Sequence, residues 1–157
     1  MLPDPELTAV FDRFKPHTAD LITRPELGLE AIVVVDSTRL GPAAGGVRTR
    51  AYPDLPSMAR DACRLAQSMT IKCALAGLDA GGGKIVVRDS PKLDRQAAFE
   101  ELGRVVEAMQ GRLRTAGDLG TTVIDLAAMA KHTRYVHTDT SHLAGSVARG
   151  VVCCAQA

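Results

Sequence analysis

Two lysines and one aspartate are the residues of this sequence whose types and spacing could do chemistry. Lys72 lies in Met69-Thr70-Ile71-Lys72, at the end of a helical pattern that opens near Ser57. Lys84 follows twelve residues later, directly after Gly81-Gly82-Gly83, and Asp118 sits in a loop between Gly117 and Gly120. A pair of lysines can share a small acidic ligand asymmetrically. One stays cationic and holds a carboxylate; the other, close to that cation and partly desolvated, has a lowered pKa and can serve as a base. An aspartate beside them can shuttle a proton. Solvated surface lysines and a turn aspartate would show the same spacing, so residue types alone leave both readings open.

The triple glycine before Lys84 is not a phosphate loop. In G-x-x-x-x-G-K-[ST] the first glycine would fall on Leu78, and Ile85 follows the lysine where a hydroxyl is required. No G-x-G-x-x-G dinucleotide fingerprint occurs in the chain. Three glycines in a row instead let backbone approach a ligand closely while the lysine points at it. The other polar candidates point to nothing. His132, His137 and His142 recur at intervals of five, which shares no helical face and no common zinc spacing, so no metal is expected. Cys63, Cys73, Cys153 and Cys154 form no C-x-x-C pair. They read as buried small hydrophobes of a reducing compartment.

The elements that must position these groups alternate. Residues 1–20 read as a short helical arm around Leu7-Thr8-Ala9-Val10-Phe11, rich in Pro at both ends, within an N-terminal arm spanning 1–26. Leu29 to Val35 is a β-branched run between Gly28 and Asp36, the pattern of a buried strand. A Gly/Pro-rich bend over 41–46 leads to a second strand at Val47–Arg50. Ser57 can cap a helix with Met58, Ala62, Leu65 and Met69 on its apolar face. Lys84–Val87 reads as a strand after a glycine-rich loop, Asp94 opens another amphipathic helix, and Leu113–Thr115 is a short strand. Thr122-Val-Ile-Asp125 carries a helix-start signature, and Tyr135-Val136 a final strand. Strands alternating with helices predict a three-layer α/β/α fold with a mostly parallel sheet. The α/β domain is expected over 27–141. Residues 142–157 read as the start of a connecting helix with no stop signal, as if the architecture continued.

Composition narrows the function. The 157 residues hold 19 Lys+Arg against 18 Asp+Glu, so no bulk field recruits nucleic acid or an anionic membrane. With three Phe, two Tyr and no Trp, stacking platforms for single-stranded nucleic acid are also lacking. Met1-Leu2-Pro3-Asp4-Pro5-Glu6 lacks the basic start and apolar stretch of a signal peptide. A cytoplasmic domain acting on a small molecule is the expectation.

Three ordered segments sharpen it: Gly41-Pro-Ala-Ala-Gly-Gly-Val-Arg48, Met69-Thr-Ile-Lys-Cys-Ala-Leu-Ala-Gly-Leu-Asp-Ala-Gly-Gly-Gly-Lys84, and Thr115-Ala-Gly-Asp-Leu-Gly-Thr121. Together, over residues 27–152, the chain resembles the N-terminal domain of the glutamate/leucine/phenylalanine/valine dehydrogenase family, nearest its leucine and phenylalanine branch. That resemblance implies oxidative deamination of an apolar L-amino acid to its 2-oxo acid with NAD, in a cleft between this domain and a Rossmann domain. It implies that Lys72 holds the substrate α-carboxylate, that Lys84 activates water, and that Asp118 moves protons and adjoins the cofactor. Gly45, Gly46 and Met69 match cleft-lining positions, and Arg48 matches an arginine that approaches the cofactor. Ala44 and Ala116 match side-chain pocket positions, with Ala44 standing where leucine is usual, which enlarges the pocket. The resemblance further implies a homo-oligomer.

Three departures qualify these expectations. No Rossmann domain is present in this chain, so a truncated or split form with a separate nucleotide-binding subunit is implied, inactive alone. Val147, in Ser146-Val147-Ala148-Arg149-Gly150, takes the place of a threonine that faces the cofactor. Gly117 replaces an acidic residue before the aspartate, which would loosen that loop. The alternative is a non-catalytic module that binds 2-oxo or amino acids, or regulates a full-length relative by mixed assembly.

Overall fold

The run Leu29–Ser37 becomes a central strand because both of its faces are covered. In the computed structural model, which describes residues 4–139, 141 and 143–156, this strand (β2) buries Ala31, Val33 and Val35 on one side. Ile32 and Val34 are buried on the other. Helices α1 (Pro5–Phe14) and α2 (Leu55–Leu75) supply the second cover, with Val10, Met58, Ala59, Ala62, Cys63 and Ala66. Helices α3 (Arg95–Ala108) and α4 (Val123–Ala130) supply the first, with Phe99, Leu102, Val106, Leu126 and Met129. The result is the three-layer α/β/α arrangement.

The sheet has five strands in the order β1-β2-β4-β3-β5. Its remaining members are β1 (Thr18–Arg24), β3 (Ala43–Arg50), β4 (Gly81–Arg88) and β5 (Leu113–Gly117). β3 pairs in parallel with β4 and β5, whereas β2 runs against its neighbours β1 and β4. Four strands therefore share one direction and β2 alone opposes it, which keeps the sheet mostly parallel. A last helix, α5, spans Leu143–Gln156. No helix among the described residues is long and apolar enough to cross a membrane.

Several local expectations need correction. β1 falls inside the stretch read as an N-terminal arm, yet pairs with β2 from Thr18↔Val35 to Arg24↔Leu29. β3 already begins at Ala43, inside the bend expected over 41–46, and β4 at Gly81, before the strand start expected at Lys84. Their glycines are required for size: a Cβ on Gly81 would run into the Ser37 carbonyl, and one on Gly82 into the backbone of Ala66 and Thr70 on α2. α2 starts earlier than expected, because Asp54 and not Ser57 caps it, accepting the Ser57 N–H at 2.7 Å. Leu65 and Met69, placed on the apolar core face, are only half-buried. Tyr135-Val136 adds a single bridge, Thr115↔Val136, rather than a strand. Cys63 and Cys73 are buried, but Cys153 and Cys154 are exposed on α5, and all four are free thiols. Residues 1–3 and His142 lie outside the described residues, as does the side chain of Val147.

The other two expected helix starts are capped as read. Asp94 accepts the Ala97 N–H at 3.2 Å at the head of α3. Thr122 and Asp125 make a reciprocal capping box at α4.

Candidate active site

α2 lies on β4 and β2 but leaves the same face of β3 and β5 largely open. A cavity of about 500 Å³ fills that gap. Strand alternation decides who faces it. On β3, Ala43 and Val47 enter the core against α3, so Ala44, Gly46 and Arg48 point the other way. On β4 the same rule turns Lys84 into the cavity between core residues Gly83 and Ile85. On β5 it turns Arg114 and Ala116 there, and Asp118 follows at the strand's end. From α2 come Leu65, Ser68, Met69 and Lys72, spaced three and four apart along one stripe.

All nine residues singled out in the sequence therefore line one cavity: Ala44, Gly45, Gly46, Arg48, Met69, Lys72, Lys84, Ala116 and Asp118. Gly45 contributes backbone only, since a Cβ there would overlap the Gly83 carbonyl. Gly46 keeps the floor open: a Cβ would sit 2.9 Å from the Asp118 Cβ and 3.3 Å from the Lys84 Nζ.

At the centre, the Lys84 Nζ donates to the Asp118 Oδ2 at 2.6 Å. Arg48 Nε donates to the same oxygen at 3.0 Å. Lys84 is 5% exposed, and burial pushes its pKa below the usual lysine value. The Asp118 charge resists that shift and the Arg48 charge adds to it. Burial alone would raise the Asp118 pKa, but the Lys84 hydrogen bond, the Leu119 N–H and the charges of Lys84 and Arg48 hold it below the usual carboxylate range. A lysine biased toward its neutral form thus sits in hydrogen-bond contact with an ionised carboxylate. Lys72 stands exposed in the last turn of α2.

Behind Arg48 lies a group that the sequence reading missed. Asp61 accepts from Arg48 Nη1 at 3.2 Å, from the Tyr52 hydroxyl at 2.8 Å and from Arg64 Nη2 at 2.9 Å. Those donors outweigh its burial and keep its pKa low, while burial and the Asp61 charge push the Tyr52 pKa up. Asp61 stands on the same α2 stripe as Leu65, Ser68 and Lys72, so the helical period was the available signal.

The loop carrying Asp118 is pinned despite Gly117. Thr49 N–H donates to the Leu119 carbonyl at 2.9 Å, and the Thr121 hydroxyl to the Val47 carbonyl at 2.7 Å. Gly117 itself pairs in register with Val47. The loosening expected from that glycine is offset by β3.

Residues 22–135 match the family described as Glu/Leu/Phe/Val dehydrogenase, dimerisation domain. The chain belongs to this family. It is 46% identical over 112 residues to a leucine dehydrogenase of Thermoactinomyces intermedius, an alignment covering 71% of this chain and 31% of that protein. It is 37% identical over 139 residues to a phenylalanine dehydrogenase of Lysinibacillus sphaericus, covering 87% of this chain and 36% of that one. The crystal structure of L-tryptophan dehydrogenase from Nostoc punctiforme superposes with a TM-score of 0.77 at 30% identity, covering 83% of this chain and 39% of that chain. The chain thus spans about a third of the length of the curated relatives it matches.

Arg48 and Asp118, the two positions expected to meet a cofactor, have their charges engaged with each other, with Lys84 and with Asp61.

Proposed function

We propose that this chain is the substrate-binding and oligomerisation part of an NAD-dependent L-amino-acid dehydrogenase, and that it turns over only with a nucleotide-binding domain, in the same chain or on a separate subunit. The observation that carries this reading is the buried Lys84–Asp118 pair, at 2.6 Å, on the floor of a cavity rimmed by Lys72. Lys72, cationic and exposed, pairs with the substrate α-carboxylate. The apolar flanks of Leu65, Met69, Ala44 and Ala116 take the aliphatic part of the side chain.

Oxidation of the amine needs a hydride acceptor, NAD on the family reading, and it belongs to the nucleotide-binding domain. The residues of this chain serve the hydrolytic half. Lys84, with its pKa pressed down by burial, takes a proton from water as the water oxygen bonds to the imino carbon. Asp118 relays that proton from Lys84 to the carbinolamine nitrogen; Lys84 then takes the hydroxyl proton as the carbonyl forms and the C–N bond breaks, and hands it to the departing ammonia, which leaves as ammonium. The pair ends in its starting protonation state. The protein is placed in the cytoplasm, where amino acids and NAD coexist.

The test joins this chain to a nucleotide-binding domain of a relative. Amino-acid-dependent NADH formation is expected, abolished by Lys84→Ala. A well-folded hybrid with no activity on any L-amino acid would refute the enzymatic reading. The short match to a dimerisation domain favours one second reading, a non-catalytic binding or regulatory module. Binding of a 2-oxo acid, lost in Lys72→Ala, combined with inactivity of every hybrid, would select it.

A further inference from the structure

Asp61 carries a charge that the proposed reaction does not use. Its side chain is only 11% exposed, and it lies outside the cavity wall, in a recess on the far side of Arg48. An enclosed ion pair is weak evidence for stability, because desolvation offsets much of the attraction. Its geometry says more. Arg48 Nη1 and the Tyr52 hydroxyl donate to Asp61 Oδ2, while Arg64 Nη2 donates to Oδ1. The carboxylate is therefore held from both sides and stands as an anchor behind Arg48.

Arg48 meets its two carboxylates with different atoms, Nη1 on Asp61 and Nε on Asp118 Oδ2. A guanidinium with one carboxylate to itself grips both oxygens with parallel N–H bonds. Here it makes a single bond to Asp118, on the same Oδ2 that takes the Lys84 Nζ at 2.6 Å. Among the described residues no side chain donates to Asp118 Oδ1. Both cations thus sit on one oxygen, and the other is left for a ligand of the cavity. Released from Asp61, Arg48 would turn its fork onto Asp118, fill Oδ1 and draw the carboxylate away from Lys84.

We propose that Asp61 is a positioning residue: by anchoring the far end of Arg48 it limits that arginine to one contact with Asp118, which keeps Oδ2 on Lys84 and Oδ1 open toward the substrate nitrogen. That the ligand at Oδ1 is a substrate nitrogen rests on the function proposed above; the arrangement of the side chains does not.

The experiment follows the Cε chemical shift of Lys84 in the folded chain by NMR as pH rises, and separately the backbone amide shifts as 4-methyl-2-oxopentanoate is added. Asp118 and Arg48 are the charges in contact around Lys84, with Lys72 and Arg114 on the same cavity wall. Arg50 and Arg60 share the recess of Asp61. Asp61→Asn keeps the shape and removes the anchor. Lys84 should then lose its carboxylate to the freed arginine, and its titration should move down by about one pH unit or more, the equivalent of one charge-assisted hydrogen bond. Asp61→Glu, which keeps the charge, should recover most of that shift. In an Arg48→Met background Asp61→Asn should move Lys84 far less, because the effect passes through the arginine. Arg60→Leu removes a charge from the same recess and should leave Lys84 where it was. Affinity for 4-methyl-2-oxopentanoate should stay nearly unchanged in Asp61→Asn, since Lys72 is untouched.

A Lys84 titration that stays in place or moves up in Asp61→Asn overturns the inference. So does a full-sized shift in the Arg48→Met background, which would mark Asp61 as a distant charge acting directly. Should Asp61→Asn fail to fold, Asp61→Ser, which also removes the charge and can still accept from Tyr52, must give the same downward move. Amide shifts absent with the 2-oxo acid, in the unmodified chain as in Lys72→Ala, would sink the proposed function and leave the Lys84 result to decide the positioning role on its own.

Discussion

Replacing Asp118 by Asn removes one charge from the most buried part of the cavity and leaves the shape almost unchanged. The Lys84 side chain is 6% exposed and the Asp118 side chain 26%. A hydrogen bond to a charged group contributes about 1.5–3 kcal/mol, and stripping one partner from a fully buried pair costs about 3–5 kcal/mol. Asp118 is partly solvated, so a loss of about 2 kcal/mol near neutral pH is expected, between the surface and buried limits. For a chain of this size that lowers Tm by about 4–8 °C.

The pH dependence separates this from a simple packing defect. Asp118 has a folded pKa below its ordinary 3.8, so its contribution is complete above that value and fades as pH falls through the folded pKa. Lys84 has a folded pKa below its ordinary 10.5, so the folded state binds fewer protons than the unfolded state in the interval between, and stability rises with pH there. Without Asp118 the Lys84 pKa drops further and that rise begins earlier. The gap between the unmodified protein and Asp118→Asn should therefore be widest at neutral pH, narrowing below 3.8 and again as pH climbs toward 10.5. Only the part due to Arg48, which keeps its proton, should persist at high pH. Urea unfolding at several pH values measures the gap, and groups common to both proteins cancel in it. A gap that stays constant from neutral pH up to the alkaline range would refute the coupling. So would an equal cost of Asp118→Asn in a Lys84→Met background, where the partner charge is already gone.

Two other substitutions test the surrounding frame. Gly46→Ala puts a methyl group 2.9 Å from both the Asp118 Cβ and the Gly117 carbonyl oxygen; the strain of overpacking, about 1–3 kcal/mol, should appear in unfolding, and 2-oxo acid shifts should vanish. Thr122→Ala removes a helix cap and should lower stability by about 1 kcal/mol, measured by urea unfolding, with no change in 2-oxo acid binding, because α4 lies across the sheet from the cavity.

The sequence made some of this legible and hid the rest for definite reasons. Lys72, Lys84 and Asp118 could be linked through the family resemblance carried by three ordered segments; their spacing alone left solvated lysines and a turn aspartate open. The run from Leu29 to Val35 announced a strand covered on both faces, and Asp94 and Thr122 announced their helices. β1 was hidden because Thr18–Arg24 is an edge strand whose order comes from pairing with β2, a tertiary cause that local preference does not record. The strand character of Gly81–Gly83 was hidden because glycine normally weakens a strand; here the absent side chains are what let α2 and β2 close on β4.

On the proposed function, the electrostatics of the cavity give a covering surface a definite part to play. Lys72 and Arg114 are exposed, and two unit charges 4 Å apart in water interact by only about 1 kcal/mol, against about 4 kcal/mol at an effective dielectric of 20. Lys84 already feels burial beneath them, and its pKa is pressed down in the chain as it stands. A second surface closing over the open face of β3 and β5 would exclude water from the same cations. It would strengthen their hold on a bound carboxylate and push Lys84 further toward the neutral base. Binding and base strength would then rise in one movement, so an uncovered cavity is expected to bind 2-oxo acids weakly and a covered one to turn amino acids over.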